Sequence, residues 1–189
     1  MESTDRIAVL EDVLSLEECA RLIDLYERHC ERAPMRDYGR RPLLDYYTIG
    51  RRDKEAASWL YGVTLRCKEK IQLDLHLPQL LVESFYITCL LPGDSHTPHA
   101  DNQRQEGDCW VPNHTPQRDY TGIAYLNDDF TGGELVFPDR DLVIMPRPGL
   151  LVGFACDHRF VHAVSEVISG KRYSVPIWFT LERTKAMQL

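Results

Sequence analysis

Two histidines and one aspartate, His99, Asp101 and His162, are the residues of this chain best suited to chemistry. His99 and Asp101 stand one residue apart in Pro98-His99-Ala100-Asp101-Asn102. His162 follows far downstream in Phe160-Val161-His162-Ala163-Val164. On an extended segment, residues two apart project to the same face, so His99 and Asp101 can converge on one ion. Two imidazoles and a carboxylate on one face of a metal, with the other positions open, form the donor set of non-haem Fe(II) centres that activate oxygen. A lone His-x-Asp is a common accident. The weight comes from His162, which lies on a strand-like stretch beside Val161 and Val164. His158 competes for that role, but Asp157-His158-Arg159 has the composition of a solvated turn.

A fourth group is a cation. Arg172 opens the apolar run Tyr173 to Phe179. A guanidinium binds a carboxylate through two parallel hydrogen bonds, and an arginine at the mouth of a buried strand needs a partner. The dicarboxylate 2-oxoglutarate fits such a pair of sites, with its keto-acid end on the metal and its far carboxylate on Arg172. Tyr125, in Ile123-Ala124-Tyr125-Leu126-Asn127, can add a hydroxyl to that carboxylate, and a plain core tyrosine is an equal alternative. Asp128, Asp129 and Glu134 flank a Gly-Gly turn and read as solvated. His96 and His114 read as loop residues facing substrate or solvent. No Walker loop, Gly-x-Ser-x-Gly elbow or zinc-finger spacing is present in the sequence.

The elements that must position these residues fall into two parts. Ser15 followed by Glu18 is a capping box, and Leu16, Cys19, Leu22, Ile23 and Tyr26 recur at helical spacing. A second helix is predicted from about Asp53 to about Leu75, with Leu60, Val63, Thr64, Cys67, Ile71 and Leu75 on one face. Arg36 to Arg52 reads as a polar connection. From Leu80 onward the chain turns to short β-branched and aromatic runs: Leu80–Leu91, Thr121–Asn127, Gly133–Phe137, Leu142–Met145, Leu150–Phe154 and Arg172–Leu181. Their spacing predicts an α+β, mainly β fold, a sandwich or jelly roll with N-terminal supporting helices on one face. The expected organisation is a single domain over 1–189, with 1–79 a mainly helical support layer and 80–189 the β core. Pro176 inside the last strand implies an edge position or a bulge. Asn102 to Asp119 reads as a long polar loop, a candidate lid over Asp101. Trp110 and Trp178 are candidates for shaping a substrate pocket.

Composition sets bounds on partners. The chain has 189 residues and a formal net charge of -7, which argues against non-specific nucleic-acid binding. Its six cysteines are scattered without a C-x-x-C pair, so reduced thiols are expected. The polar N-terminus carries no apolar signal core, and no run is long enough to span a membrane. The expectation is a cytoplasmic protein with no membrane partner.

The order His-x-Asp, a Tyr-Leu-Asn strand, a Gly-Gly-Glu turn, a distal His and then Arg resembles the 2-oxoglutarate- and Fe(II)-dependent prolyl hydroxylases, from about His99 to Leu181. Arg118 to Phe130 and Trp178 to Leu181 are similar to the leprecan-type prolyl 3-hydroxylase catalytic domain. His99-Ala100-Asp101-Asn102 resembles both that branch and the hypoxia-factor type. A lysine usual in collagen-type prolyl 4-hydroxylases is replaced by Arg172, and Leu90 and His96 stand where those enzymes carry tyrosines. The resemblance implies a double-stranded β-helix, and iron ligands at His99, Asp101 and His162. It also implies that Arg172, helped by Tyr125, binds the 5-carboxylate of 2-oxoglutarate. The implied cofactors are Fe(II), 2-oxoglutarate and O2, with ascorbate as a candidate auxiliary reductant. The implied reaction hydroxylates a proline in a protein or peptide and releases succinate and CO2. Three other readings stay open on the residues alone: a hydroxylase of a free amino acid or small metabolite, a non-catalytic binding module on the same fold, and a metal-dependent hydrolase.

Overall fold

The computed structural model describes residues 5–30 and 43–188. The N-terminal part gives β1 (Ala8–Leu10), α1 (Leu16–His29), β2 (Leu44–Asp45), α2 (Tyr46–Gly50) and α3 (Lys54–Asp74). The β part follows as β3 (Leu81–Leu90), β4 (His96–His99), β5 (Gln103–Glu106), β6 (Cys109–Pro112), β7 (Tyr120–Tyr125), β8 (Thr131–Gly132) and β9 (Leu135–Phe137). It ends with β10 (Leu142–Ile144), β11 (Leu151–Ala155), β12 (His162–Val164), β13 (Val167–Ser169) and β14 (Arg172–Thr180).

The helices start where their caps dictate. The Ser15 hydroxyl accepts from the Glu18 amide at 3.1 Å, and the Glu18 carboxylate accepts from the Ser15 amide at 3.0 Å. Two otherwise unpaired N–H groups are satisfied this way. At α3 the Asp53 carboxylate accepts from the Ala56 amide at 2.8 Å. The stripe expected on α3, Leu60 to Leu75, is buried throughout. On α1 one residue departs from its expected face: Leu16 is 72% exposed, because the buried side chains Cys19, Leu22, Leu25 and Tyr26 centre the buried face to one side of it.

Two antiparallel sheets form a jelly roll. The major sheet has strand order β1-β11-β7-β14-β3-β2, and the minor sheet has order β10-β9-β12-β4. Phe137 of β9 meets Phe154 of β11 edge-on, ring centroids 5.0 Å apart, where the sheets face each other. The helices cover the other side of the major sheet. Its central strands β7, β11 and β14 are therefore buried on both faces, apart from the half-buried Pro176. That explains why their sequences run continuously apolar rather than alternating.

Close approach of α3 requires glycine. A Cβ on Gly153 of β11 would lie 2.7 to 3.0 Å from three atoms of Ile71, and Gly122 of β7 faces the same side chain. Gly153→Ala is expected to destabilise the fold by about 1–3 kcal/mol through overpacking. The measurement is the urea midpoint, which should fall at unchanged slope. An unmoved midpoint would mean that Ile71 has room to step aside.

Residues 5–79 carry two short strands besides their helices: β1 pairs with β11 and β2 pairs with β3, so this part supplies both outer strands of the major sheet. Two expectations need correction. Within the connection from Arg36 to Arg52, residues 36–42 lie outside the described residues, and Asp45 caps α2 by accepting from the Thr48 amide at 2.7 Å. Pro176 lies in the centre of the sheet, between β7 and β3, and not at an edge. It pairs in register with Ile123, while the register to β3 skips Val175 and Pro176, which places the missing proline N–H on that side. The register to β3 shifts further on, between Trp178 and Phe179, where Glu83 of β3 is the extra residue.

Candidate active site

Pairing of two minor-sheet strands brings the histidines together. His99 ends β4, His162 begins β12, and the two are Cα partners in the antiparallel register. Directly opposed residues share a face, and the two imidazole centroids lie 4.4 Å apart. Asp101 follows His99 by two residues. Its backbone carbonyl accepts from Asn113 Nδ2 at 3.1 Å and from Thr115 Oγ1 at 2.9 Å, which anchors the turn after β4. The three side chains offer ligand atoms that all lie within 4.8 Å of one another. His99 Nε2 is 4.0 Å from Asp101 Oδ1, and His162 Nε2 is 3.8 Å from Asp101 Oδ2. These spacings are too wide for direct hydrogen bonds and suit donors arranged around an ion.

The protonation states favour the same chemistry. His99 Nδ1 lies 2.7 Å from the Thr97 carbonyl, and His162 Nδ1 lies 3.0 Å from the Phe160 carbonyl. A carbonyl only accepts, so each Nδ1 carries a proton, and in the neutral ring the lone pair is then left on Nε2. Burial opposes ionisation of Asp101, but His162, the Thr121 hydroxyl and His99 outweigh it and hold the carboxyl below its ordinary range. Burial pushes the His162 imidazole down, keeping it neutral, although Asp101 pulls the other way. Phe154 and Phe137 pack on the His162 ring at 4.7 and 5.9 Å and fix its plane.

Arg172 and Tyr125 meet on the facing sheet. Ser174 and Tyr125 are register partners across β14 and β7, and Arg172 lies two residues from Ser174 on the same face. The Arg172 guanidinium carbon sits 5.0 Å from the Tyr125 ring centroid. Arg172 is only 3% exposed, yet no carboxylate of the described residues pairs with it. Its Nε donates to the Gly133 carbonyl at 2.8 Å and its Nη1 to Ser174 Oγ at 3.3 Å. Gly133 is held at φ +70°, and a Cβ there would lie 2.8 Å from Arg172 Cδ, so glycine is required on both counts. The Tyr125 hydroxyl is fully buried beside the Arg172 guanidinium and makes no hydrogen bond of good geometry. A buried unpaired hydroxyl is costly unless a ligand satisfies it.

Other residues singled out in the sequence fall elsewhere. His158 lies in a 3-10 turn, held by Gln103 Oε1 at 2.9 Å and stacked on Trp110, ring centroids 5.8 Å apart. It is not part of the metal-suited group. The segment around Trp110 is not a structureless loop, because β5 and β6 pair as a hairpin from Gln103–Pro112 to Glu106–Cys109. Trp178 lies beside Thr121 in the register, under the Arg118 guanidinium at 3.9 Å. The Glu134 carboxylate accepts from Ser165 Oγ, and neither Asp128 nor Asp129 joins the cluster. His96 is on β4 rather than in a loop, its ring 6.3 Å from that of His99. Sequence reasoning missed Thr121, whose hydroxyl lies 2.5 Å from Asp101 Oδ2, and the backbone carbonyls that orient the histidines. Nothing in their local pattern marks them.

Comparison with known proteins bears on this arrangement. Residues 85–180 match the model of the 2OG-Fe(II) oxygenase superfamily, a stretch containing all five site residues. Human prolyl 3-hydroxylase 2 is 38% identical over 97 residues, covering 47% of this chain and 14% of the relative. The chain thus spans a small fraction of the length of the curated relatives it matches. Among solved structures, a viral collagen prolyl hydroxylase from Paramecium bursaria Chlorella virus-1, solved as a 2OG complex, superposes with a TM-score of 0.58. It is 20% identical, and 96% of each chain is covered. A Trichoplax adhaerens prolyl hydroxylase in complex with a hypoxia-inducible-factor peptide gives a TM-score of 0.62 at 20% identity, covering 98% of this chain and 89% of that one.

Proposed function

This chain belongs to the 2OG-Fe(II) oxygenase superfamily, and from that membership we propose that it hydroxylates a prolyl residue of a protein or peptide. The observation that carries this reading is the pairing of two half-sites: three converging ligand residues at the end of the minor sheet, His99, Asp101 and His162, and a buried Arg172 and Tyr125 lacking a carboxylate on the major sheet. The residues fit the implied groups. His99 Nε2, Asp101 and His162 Nε2 would hold Fe(II), and the Tyr125 hydroxyl with the Arg172 fork would hold the far carboxylate of 2-oxoglutarate. When bound, Fe(II) with 2-oxoglutarate and O2 supplies the oxidising power that places one oxygen atom on a C–H bond and yields succinate and CO2.

The chain's own residues do the rest. Asp101 supplies the negative charge of the ligand set, and Thr97 and Phe160 hold the histidine tautomers that leave Nε2 free. Arg172 sets the orientation of the co-substrate by gripping the end that does not react. Phe137, Phe154 and Ile123 line the space between the sheets and keep water from it. The preference for a prolyl substrate rests on the prolyl 3-hydroxylase relatives. The six free thiols support a reducing compartment, the cytoplasm.

The decisive test incubates the protein with Fe(II), 2-oxoglutarate and proline-containing peptides, and looks by mass spectrometry for a proline that has gained one oxygen atom. Succinate released without peptide oxidation, but on addition of a free amino acid, would shift the assignment to a small-molecule hydroxylase. Neither succinate formation nor 2-oxoglutarate binding would end the reading. Tyr125→Phe gives a separate check. It removes a buried hydroxyl that costs about 1–3 kcal/mol when unpaired, so the ligand-free protein should melt no lower than wild type. Its 2-oxoglutarate Kd should rise about tenfold, the effect of one hydrogen bond to a charged group. A lower melting temperature with unchanged Kd would make Tyr125 a plain core residue.

A further inference from the structure

We propose that Thr121 is a positioning residue for the metal centre: its hydroxyl clamps Oδ2 of Asp101 and so presents Oδ1 to the ion, with the Cys156 thiol fixing the direction of that hydroxyl. This rests on His99, Asp101 and His162 being the metal ligands.

The argument is one of hydrogen-bond roles. Thr121 Oγ1 lies 2.5 Å from Asp101 Oδ2 and 3.0 Å from Cys156 Sγ. An ionised carboxylate can only accept, so the threonine hydroxyl donates to it. That hydroxyl has one proton, so towards Cys156 it can only accept, and the thiol is the donor. The result is a directed chain, Cys156 S–H to Thr121 O–H to Asp101 Oδ2. All three side chains are buried, which keeps water from competing for either bond.

The backbone around the chain is fixed from several sides. Thr121 pairs in register with Phe154 on one neighbouring strand and Trp178 on the other. The Cys156 amide donates to the Asp119 carbonyl at 3.0 Å, and the Cys156 carbonyl accepts from the Asn102 amide at 3.1 Å. The segment that carries the thiol therefore also holds the residue next to Asp101. A β-branched threonine has few χ1 choices, whereas a carboxylate turns easily about its own broad, twofold torsion. The stiff partner thus determines the setting of the loose one. Freed from Thr121, the Asp101 carboxylate can turn and offer either oxygen to the ion.

Loss of such an outer partner costs about 10- to 100-fold in metal affinity. The experiment titrates Co(II), and anaerobically Fe(II), into the full chain and follows the Co(II) absorption bands, with melting curves recorded alongside. Thr121→Val should bind about 10- to 100-fold more weakly and show altered Co(II) bands. Thr121→Ser should restore affinity and bands, and Cys156→Ala should lie between wild type and Thr121→Val. A role limited to packing predicts the reverse: valine, close to threonine in shape, keeps wild-type affinity and bands, and that result overturns the proposal. Failure of Thr121→Ser to restore the bands overturns it as well. Should Thr121→Val not fold, Cys156→Ala decides, and unchanged affinity and bands there overturn the directed chain. If wild type itself binds neither ion, the metal-site reading fails and takes this inference with it, whereas wild-type binding combined with indifferent Thr121 variants sinks this inference alone.

Discussion

Asp101→Asn should cost the protein its metal and its turnover while leaving the fold in place. The amide has the size and shape of the carboxylate and can still accept from Thr121, which lies 2.5 Å away. What it lacks is charge. Both histidines are held with their Nδ1 protons on carbonyls, so neither contributes a negative charge, and Asp101 supplies the only anionic ligand of the group. Without it a dication faces neutral donors in a partly buried site. The Fe(II) Kd should rise by more than the roughly 10- to 100-fold that an outer partner is worth, and 2-oxoglutarate turnover should fall to background. The neighbours that hold the Asp101 carboxyl below its ordinary range stabilise its charge in the folded state, so the variant should also melt somewhat lower than wild type while still folding. Metal titration beside a thermal melt reads both quantities. Wild-type Fe(II) affinity in this variant would exclude Asp101 as a ligand.

Arg172→Met should separate co-substrate binding from stability. Methionine fills much of the arginine's volume without its charge. Two effects on the ligand-free fold oppose each other: a buried guanidinium with no carboxylate partner disappears, and the Gly133 carbonyl loses its donor at 2.8 Å. The melting temperature should move little. Binding has no such compensation, because truncating one member of a buried charge pair costs about 2–5 kcal/mol, at least about a thirtyfold weaker 2-oxoglutarate Kd. Metal affinity should remain that of wild type, since Arg172 stands on the opposite sheet from His99 and His162. Isothermal titration with 2-oxoglutarate in the presence of an inert divalent ion measures the loss. An unchanged Kd would leave Arg172 as a structural donor to Gly133 and nothing more.

Much of this architecture is legible in the sequence because local rules and burial agree. The second helix is one example: Asp53 caps it, and the six apolar or small residues named on its face are all buried. The strands containing Tyr125 and Trp178 are another, since runs of β-branched and aromatic residues bounded by glycine turns have few alternatives. The spacing of His99 and Asp101, and the apolar neighbours of His162, single out side chains that the structure brings together. Where the reading departs, a longer-range term decides. Leu16 follows helical spacing but lies to one side of the face that Cys19, Leu22, Leu25 and Tyr26 bury. The Gln103 to Pro112 hairpin shows no apolar alternation because its strands are largely solvent-exposed, although Gly107-Asp108 at its tip is a turn signal. Pro176 is tolerated in a central strand because β7 retains its pairing where β3 gives it up. Thr121 and Cys156 could not be found from pattern at all. Thr121 owes its value to a contact with Asp101, 20 residues away in the chain, and Cys156 to a contact with Thr121, 35 residues away.

The outer strands of the major sheet have a practical consequence for anyone who wishes to cut this protein down. The stretch shared with the superfamily begins at residue 85, yet β1 and β2 precede it and close the sheet at β11 and β3. A fragment starting near Leu80 would bare two rows of unpaired backbone amides and carbonyls, together with the glycine-lined groove that Ile71 fills. Such open edges recruit strands from other copies. The shared stretch, though it contains every residue of the site, should aggregate when expressed alone, so the smallest well-behaved fragment has to retain the segments that carry none of those residues.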